Sequence, residues 1–289
     1  MIVESTNVQN THQSPAFAKP LLGDVFSPRI EVANNLEFMQ SIESNTLDLI
    51  YCDVLYGTGR NFGEYQDLKP IRSEIENHYI PRIKEMKRIL KDTGCIYLQM
   101  DCKISHWVRI ICDDIFGYSN FKNELYYYNN VVKNNVKLNF QNSTDTILFY
   151  SVSSNYTFNP QYENVIKEST LKEYKYNDIG ELVRMARTRD YQKKGKTKVN
   201  LENYKGRLTN NVIDICHNLK ADYPTQKPKE LLKRLILSVT NENDIVGDFY
   251  LGSGTTAVVC KELSRRFVGC DINPNAVKLT NERLNGTLF

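Results

Sequence analysis

Two short motifs in this chain combine polar side chains with turn-forming backbone in ways that could perform chemistry. The first directly follows an apolar run at residues 47–52 and consists of Asp53, Val54, Leu55 and Tyr56. The second closes another apolar strand-like run and includes Asp248, Phe249, Gly252, Ser253, Gly254 and Thr255. Glycines at a strand-to-helix turn let the backbone approach a ligand closely, and the following helix N-terminus offers unpaired N–H groups. The second motif therefore predicts a ligand-binding loop.

The glycine motif by itself fits more than one kind of ligand. Gly252, Gly254 and Ala257 match the dinucleotide pattern of strand-to-helix turns. Asp271, which follows Gly252 by 19 residues, stands where a ribose-binding acid would lie. A nucleotide-dependent oxidoreductase and a turn without any ligand are therefore alternatives.

Residues around the glycine motif favour a ligand that also has an amino-acid end. The carboxylate of Asp248 could attract an ammonium group, and Thr225 and Lys227 could bind a carboxylate. A ribose, an ammonium and a carboxylate occur together in S-adenosylmethionine, whereas NAD lacks the amino-acid end. The sequence therefore predicts S-adenosylmethionine as the cofactor.

These motifs lie in a chain whose hydrophobic pattern alternates between strands and helices. Strand-like runs occur at residues 47–53, 94–101, 146–150, 244–250 and 266–272. Helical periodicity occurs at residues 74–90, 106–116, 228–240, 255–263 and 274–284. Strands separated by helices predict an α/β fold with a parallel sheet that is covered on both faces. Residues 126–220, which are rich in asparagine and tyrosine, interrupt the alternation and predict an insertion.

The composition excludes several classes of protein. The 289 residues are 41% hydrophobic and 25% charged, which is typical of a soluble globular chain. No run approaches the roughly 18 apolar residues of a membrane span, and residues 1–20 lack the apolar core of a secretory signal. The seven cysteines lack the paired spacing of a zinc site, so we expect reduced thiols, no metal and a cytoplasmic protein.

Positive charge is concentrated in one part of the insertion. Residues 181–210 contain nine Lys or Arg residues and three acids, a net charge of +6, whereas the whole chain carries +3. Such a segment is typical of a polyanion-binding surface, and a solvated loop is the alternative. The residues that could contact a polyanion include Arg184, Arg187, Arg189, Lys193 and Lys194.

Taken together, these motifs resemble those of DNA methyltransferases that modify exocyclic amino groups, making N6-methyladenine or N4-methylcytosine. The chain is most similar to the β group, which includes enzymes of type II and type III restriction systems. Residues 53–56 resemble the catalytic tetrad, residues 223–228 a cofactor motif and residues 248–256 the cofactor loop. The tetrad, the recognition region and the cofactor loop follow one another in the order that is characteristic of the β group.

The resemblance implies a Rossmann-like, mostly parallel sheet of the class I methyltransferases. Residues 1–125 would form the catalytic half, 126–220 the target-recognition insertion with one core strand near 146–150, and 221–289 the cofactor-binding half. Double-stranded DNA is the implied substrate, and a cognate restriction endonuclease and a homodimer are left open as further partners. The implied cofactor-binding residues are Asn34, Thr225, Lys227, Asp248, Phe249, Gly252, Ser253, Gly254, Thr255 and Asp271. The basic residues named above would contact DNA.

The implied chemistry explains the tetrad. An exocyclic amine delocalises its lone pair into the base and is therefore a poor nucleophile. The carboxylate of Asp53 and the backbone carbonyl of Val54 could accept its two N–H bonds, and Tyr56 could stack on the extruded base. Aspartate in first position is commoner in adenine enzymes, so we expect N6-methylation of adenine, with N4-methylation of cytosine as the alternative.

Two departures from the family pattern suggest a further alternative for the function. The usual tetrad has two prolines where this chain has Val54 and Leu55, so the turn loses their rigidity. Many relatives have a Gly-Asp pair where this chain has Ala33 and Asn34, although Asn34 can still contact an adenine amino group. A catalytically weakened, DNA-binding relative is therefore also consistent with the sequence.

Overall fold

The computed structural model describes most of the chain and divides it into two compact units. The described residues are 27–61, 66–129, 138, 140–163, 172–187, 196–200, 207–215 and 226–286, with the backbone alone described at 184–187, 196–200 and 207. The second unit comprises Asn159–Asn210, and the first unit comprises the chain on either side of it.

The described residues form thirteen strands and six α-helices. The strands are β1 (Arg29–Val32), β2 (Leu47–Asp53), β3 (Leu90–Asp101), β4 (Phe121–Tyr128), β5 (Thr144–Ser151), β6 (Tyr162–Glu163), β7 (Lys175–Tyr176), β8 (Leu182–Arg187), β9 (Lys196–Asn200), β10 (Arg207–Leu208), β11 (Val212–Asp214), β12 (Ile245–Asp248) and β13 (Arg266–Asp271). The helices are α1 (Asn35–Gln40), α2 (Arg72–Ile89), α3 (Cys102–Phe116), α4 (Lys229–Val239), α5 (Thr255–Glu262) and α6 (Pro274–Leu284).

The first unit is built on an eight-stranded mixed sheet in the order β1-β13-β12-β2-β3-β5-β4-β11. The first five strands in this order, β1, β13, β12, β2 and β3, are parallel to one another. Strand β5 runs antiparallel to both β3 and β4, and β11 is parallel to β4. The mostly parallel α/β fold predicted from the sequence is therefore confirmed.

Helices cover both faces of this sheet. The central strand β2 is therefore buried on both sides, which explains its almost continuously apolar sequence. Side chains alternate across a strand. Ile50 and Cys52 pack with residues of α1, α2 and α3, whereas Leu49 and Tyr51 pack with residues of α4, α5 and α6. Because both faces are buried, apolar residues are needed at successive positions.

The helix predicted at residues 106–116 begins earlier than its periodicity indicated. Asp101 is its N-cap, and its carboxylate accepts a hydrogen bond from the backbone N–H of Lys103. Gly117 ends the helix, as predicted, and its positive φ of 92° is a conformation that glycine adopts without strain.

Two regions differ from the sequence-based expectation. Strand β1 and helix α1 were not predicted, because elements this short leave no periodic signal. The compact second unit, Asn159–Asn210, covers only part of residues 126–220, where the end of β4 and all of β11 pair into the main sheet. Strand β5, by contrast, contains the strand expected at 146–150. Strands β4 and β11 lie at one edge of the sheet, and most residues of β4 are only half-buried, so its hydrophobic pattern is weak.

The second unit consists of short antiparallel pairings. Strands β6 and β10 form one pair, and β7, β8 and β9 form a three-stranded sheet. Across both units, none of the described helices has the length and hydrophobicity required to cross a bilayer. His, Cys, Asp and Glu side chains also form no metal-binding cluster in the described part of the chain.

Candidate active site

A cavity of about 490 Å³ opens at the carboxyl ends of β2, β12 and β13, where both sequence motifs meet. Open α/β sheets bind their ligands at this edge, and the volume lies within the roughly 300–1,000 Å³ of small-molecule sites. The sequence-predicted residues that line the cavity are Asn34, Asp53, Val54, Leu55, Tyr56, Lys227, Asp248, Phe249, Gly252, Ser253, Thr255 and Asp271. Gly254 belongs to the same loop, and Thr225 lies outside the described residues.

The polar groups of the tetrad contact one another at the end of β2. The hydroxyl of Tyr56 lies 2.8 Å from Oδ1 of Asp53, and Nζ of Lys227 lies 2.7 Å from Oδ2 of the same carboxylate. The Lys227 ammonium also donates to the Tyr56 hydroxyl at 3.0 Å and lies 5.2 Å from the centre of its ring. The three side chains therefore form one hydrogen-bonded cluster.

Lys227 was predicted to bind the carboxylate of the cofactor, and the structure places its ammonium against the tetrad. Burial opposes the charged form of Lys227, but the carboxylates of Asp53 and Asp145 outweigh this effect and raise its pKa. Burial also raises the pKa of Asp53, the Lys227 ammonium opposes that rise, and the Asp145 carboxylate adds to it. The cofactor-binding role of Lys227 stays a prediction.

A second carboxylate, Asp145 at the start of β5, was not identified from the sequence. Its Oδ2 lies 2.8 Å from the Tyr56 hydroxyl and 3.7 Å from Nζ of Lys227. The side-chain amide of Gln99 donates to the same oxygen at 2.8 Å, and Tyr51 donates to the amide oxygen of Gln99. The predicted strand at 146–150 began one residue too late to include this acid.

The backbone of the tetrad is held by hydrogen bonds at the two positions where the family has prolines. The N–H of Val54 donates to the carbonyl of Gln99 at 3.0 Å, and the carbonyl of Leu55 accepts from the Tyr79 hydroxyl at 2.8 Å. Val54 lines the cavity, and no hydrogen bond from the described residues reaches its backbone carbonyl. The sequence analysis predicts that this carbonyl accepts one N–H of the target amine.

Asp67, a buried residue that the sequence analysis did not select, organises the turn after the tetrad. Its Oδ1 accepts from the backbone N–H of Gly57 at 3.1 Å, and its Oδ2 accepts from the N–H and the hydroxyl of Thr58. Gly57 has a positive φ of 64°, and a Cβ at this position would collide with the side chain of Ile104. Hydrogen bonds to one carboxylate therefore restrict the loop that begins where the prolines are missing.

Asp248, the last residue of β12, accepts hydrogen bonds from the glycine loop and from the helix that follows it. Its Oδ2 accepts from the Thr256 hydroxyl at 2.6 Å and its Oδ1 from the N–H of Tyr250 at 3.1 Å. The side chain is only 2% exposed, and burial raises its pKa to about 7. Asp248 lines the cavity, and its predicted contact with a ligand ammonium stays a prediction.

Asp271 links the end of β13 to the glycine loop. Its Oδ2 accepts from the N–H of Gly252 at 2.8 Å, and its Oδ1 accepts from the N–H of Asn273. This geometry keeps the carboxylate at the cavity wall, where the sequence predicts a ribose contact. The side-chain oxygen of Asn34, predicted to contact adenine, accepts from the N–H of Leu36 and caps α1.

A second polar cluster that lines the cavity was also missed by the sequence analysis. Nε2 of His78 lies 2.9 Å from the Tyr250 hydroxyl, and Nε of Arg82 donates to the side-chain oxygen of Asn35 at 2.7 Å. Burial, reinforced by the Arg82 charge, lowers the pKa of His78 to about 4, so its imidazole is neutral at physiological pH. All four residues line the cavity. A lone histidine on a helix gives no sequence signal for such a contact.

The residues predicted to bind DNA lie in the second unit. Arg184 and Arg187 belong to β8, of which the backbone is described at those positions. Arg189, Lys193 and Lys194 lie outside the described residues. The predicted DNA contacts therefore stay predictions.

Comparison with known proteins identifies relatives over most of the chain. The chain is 29% identical over 263 residues to type II methyltransferase M.HpaI of Haemophilus parainfluenzae, covering 89% of this chain and 74% of the relative. It is 28% identical over 257 residues to the DNA adenine methyltransferase YhdJ of Escherichia coli K12, covering 86% of this chain and 79% of the relative.

Solved structures share the fold at lower sequence identity. The cytosine-N4-specific PvuII DNA methyltransferase superimposes with a TM-score of 0.61 and 14% identity, covering 89% of this chain and 86% of that one. The complex of M1.HpyAVI with S-adenosylmethionine superimposes with a TM-score of 0.55 and 18% identity, covering 89% of this chain and all of that one.

A family model also matches most of the chain. The model of the N6/N4 DNA methylase family matches residues 47–282. That range begins with the strand that ends at Asp53 and includes the cofactor loop and Asp271. The chain therefore belongs to the N6/N4 family of DNA methylases.

Proposed function

We propose that this protein methylates the N6 amino group of adenine in DNA. It is a DNA methyltransferase whose predicted cofactor, S-adenosylmethionine, is confirmed by its family; when bound, this cofactor supplies a methyl group on a positively charged sulfur. The choice of adenine is supported by the aspartate in first position of the tetrad and by the 28% identical relative that is named an adenine methyltransferase.

The cavity residues fit the cofactor by their chemistry. The carboxylate of Asp271 at the end of β13 is suited to ribose hydroxyls, and the apolar side chains of Phe249, Leu251 and Ile272 are suited to an adenine ring. The carboxylate of Asp248 is suited to the ammonium of the amino-acid end, and Lys227 and Thr225 to its carboxylate. Asn34 would contact the adenine amino group.

The observation that carries the proposed mechanism is the position of two hydrogen-bond acceptors at one cavity wall. Asp53 and Val54 are adjacent in the chain and both line the cavity, and their carboxylate and backbone carbonyl are the two acceptors. Fixed acceptors for the two N–H bonds of an amine localise its lone pair and favour attack, because the site is organised before the reaction. Asp53 is also the nearest carboxylate that could take the proton which the methylated nitrogen must lose.

Tyr56 would hold the extruded base. Extruding a base from the duplex costs a few kcal/mol, and stacking on an aromatic ring returns about 1–3 kcal/mol. Its hydroxyl is a hydrogen-bond donor that stays protonated, because burial and the carboxylates of Asp53 and Asp145 raise its pKa well above the ordinary range.

Basic residues of the second unit would hold the duplex. We place phosphate or guanine contacts at Arg184, Arg187, Arg189, Lys193 and Lys194, because arginine and lysine supply most such contacts in protein–DNA complexes. The net charge of +6 in residues 181–210 supports this assignment. Since M.HpaI is a type II methyltransferase, a cognate restriction endonuclease is the proposed partner.

One labelling experiment tests the function. The protein is incubated with tritiated S-adenosylmethionine and unmethylated genomic DNA, and the DNA is digested to nucleosides for chromatography. We expect label in N6-methyldeoxyadenosine. Label in N4-methyldeoxycytidine would instead establish the second candidate, which the fold similarity to the cytosine-N4-specific PvuII enzyme favours. Cofactor binding without any label in DNA would contradict both.

A further inference from the structure

The hydroxyl of Tyr56 stands between two carboxylates but has only one proton to donate. Its oxygen lies 2.8 Å from Oδ1 of Asp53 and 2.8 Å from Oδ2 of Asp145. At any moment it can donate to one of them, while it accepts from the ammonium of Lys227 at 3.0 Å. The two acids therefore compete for the same donor.

Asp145 is fixed in place by a buried chain of hydrogen bonds. The Tyr51 hydroxyl donates to the amide oxygen of Gln99 at 2.8 Å, which turns the amide nitrogen toward Asp145. Tyr51 and Gln99 are 1% and 0% exposed, so water cannot replace these bonds. Strands β3 and β5 pair Asp101 with Asp145, which anchors the backbone of this acid in the sheet.

Binding of an amino group at Asp53 changes what Tyr56 can do. An N–H donor at Oδ1 of Asp53 competes with the Tyr56 hydroxyl for that oxygen, and a hydroxyl proton left without an acceptor in this part-buried cluster is costly. Asp145 is the second acceptor within reach of that hydroxyl. The hydrogen bonds run in the order Asp53, Tyr56, Asp145 and Gln99, so the Tyr56 hydroxyl can change from one carboxylate to the other.

We propose that Asp145 is a positioning residue for methyl transfer, which accepts the Tyr56 hydroxyl while Asp53 accepts the target amine. This role rests on the proposed function of the site. It keeps the Tyr56 ring at the cavity wall, where it stacks on the base, and it leaves Asp53 available to the amine. Asp145 itself touches neither the base nor the reacting atoms.

The charge of Asp145 has a separate effect that can be measured. The ionisable groups around Asp53 are Lys227 before α4, Tyr51 and Cys52 on β2, Tyr56 after β2, Asp145 on β5 and Asp248 on β12. Of these, Asp145 is a like charge that raises the pKa of Asp53. Removing that charge while keeping the hydrogen bonds should lower the pKa of Asp53, so the loss of activity on the acid side moves to lower pH.

Two substitutions of Asp145 separate the hydrogen bond from the charge. Asp145→Asn keeps an oxygen that can accept from Tyr56 and Gln99, whereas Asp145→Ala leaves both donors unsatisfied. At saturating cofactor and DNA we expect kcat to fall by about 10-fold to about 100-fold in Asp145→Ala and by less than about 3-fold in Asp145→Asn. The acid limb of the pH profile should shift to lower pH in Asp145→Asn, and cofactor affinity should stay within about 2-fold in both variants, because Asp145 does not line the cavity.

The matched control is Asp113→Asn, because Asp113 also accepts a tyrosine hydroxyl, that of Tyr150 at 2.6 Å, and does not line the cavity. We expect this control to change stability without changing kcat. Thermal unfolding of each variant shows whether it is folded, and Asp145→Asn keeps the test decisive if Asp145→Ala does not fold.

The outcomes distinguish this inference from the proposed function. A wild-type protein that transfers no label to DNA would overturn the proposed function itself. An active wild type with an equally active Asp145→Ala, or an Asp145→Asn variant with an unshifted acid limb, would overturn only the role of Asp145.

Discussion

Nζ of Lys227 lies 2.7 Å from Oδ2 of Asp53, although the two residues are 174 positions apart in the chain. The contact joins a residue that the sequence assigned to the cofactor to the first residue of the catalytic tetrad. The residues predicted for the cofactor and for the amino group therefore share one electrostatic cluster, in which one ammonium faces the carboxylates of Asp53 and Asp145.

Replacing Asp53 should abolish catalysis while leaving cofactor binding nearly intact. Asp53→Ala removes a preorganised acceptor for the target amine, and we expect kcat to fall by about 100-fold or more. Labelling of genomic DNA measures kcat, and calorimetry with S-adenosylmethionine measures affinity. Asp48→Asn is the control on the same strand, since Asp48 pairs with Lys91 outside the cavity. Full activity of Asp53→Ala would remove Asp53 from the site.

Replacing Lys227 should shift the pH dependence of the reaction and destabilise the fold. Lys227→Met leaves two neighbouring carboxylates without their ammonium, so the pKa of Asp53 should rise and the acid limb of activity should move to higher pH. The two side chains are only 14% and 25% exposed, so we expect a loss of unfolding free energy that approaches the roughly 3–5 kcal/mol of a fully buried pair, measured by urea denaturation.

Lys229→Met is the surface comparison for that measurement. Lys229 pairs with Glu262 at 2.8 Å, and its side chain is 40% exposed. We expect a loss of less than about 1 kcal/mol, because exposed ion pairs contribute little. Equal losses in the two lysine variants would contradict the buried character of the Lys227 pair.

Gly254 should tolerate no side chain, because of its positive φ and because of its close contact with Thr280. Gly286 shares the first feature but not the second, so it separates the two effects. The φ of Gly254 is +73°, and an added Cβ would collide with the side chain of Thr280. Gly286 has the same φ of +73° with open space around it. We expect Gly286→Ala to cost about 1 kcal/mol of unfolding free energy and Gly254→Ala more than that, together with weaker cofactor binding. Equal losses in both variants would show that the Thr280 contact is unimportant.

Ionisation of Asp248 should destabilise the folded protein. Burial raises its pKa to about 7, whereas aspartate in an unfolded chain titrates near about 3.9. Between these values the folded state binds more protons than the unfolded state, so the contribution of Asp248 to unfolding free energy falls as pH rises. Asp248→Asn cannot ionise and should therefore gain stability relative to wild type between about pH 4 and about pH 7. Urea unfolding at several pH values measures this difference, and a constant difference would contradict the buried ionisation.

The sequence alone determined the elements whose signals are local. The apolar run before Asp53, the periodic segments that became α2, α4, α5 and α6, and the glycines before Thr255 each depend on a few neighbouring residues. Those signals sufficed to predict a mostly parallel sheet and to bring both motifs to one sheet edge, because parallel strands end on the same side. The helix boundaries were predicted to within a few residues.

Tertiary structure decided the contacts between residues that no local pattern connects. The sheet order brings β5 beside β3, which places Asp145 next to Gln99 and Tyr56. Asp145 is a single acid at the start of a strand and has no periodic or spacing signal, so its role could not be predicted from the sequence. Likewise, the Lys227 ammonium is held by carboxylates from two distant segments, Asp53 on β2 and Asp145 on β5, and only the folded chain brings these segments together.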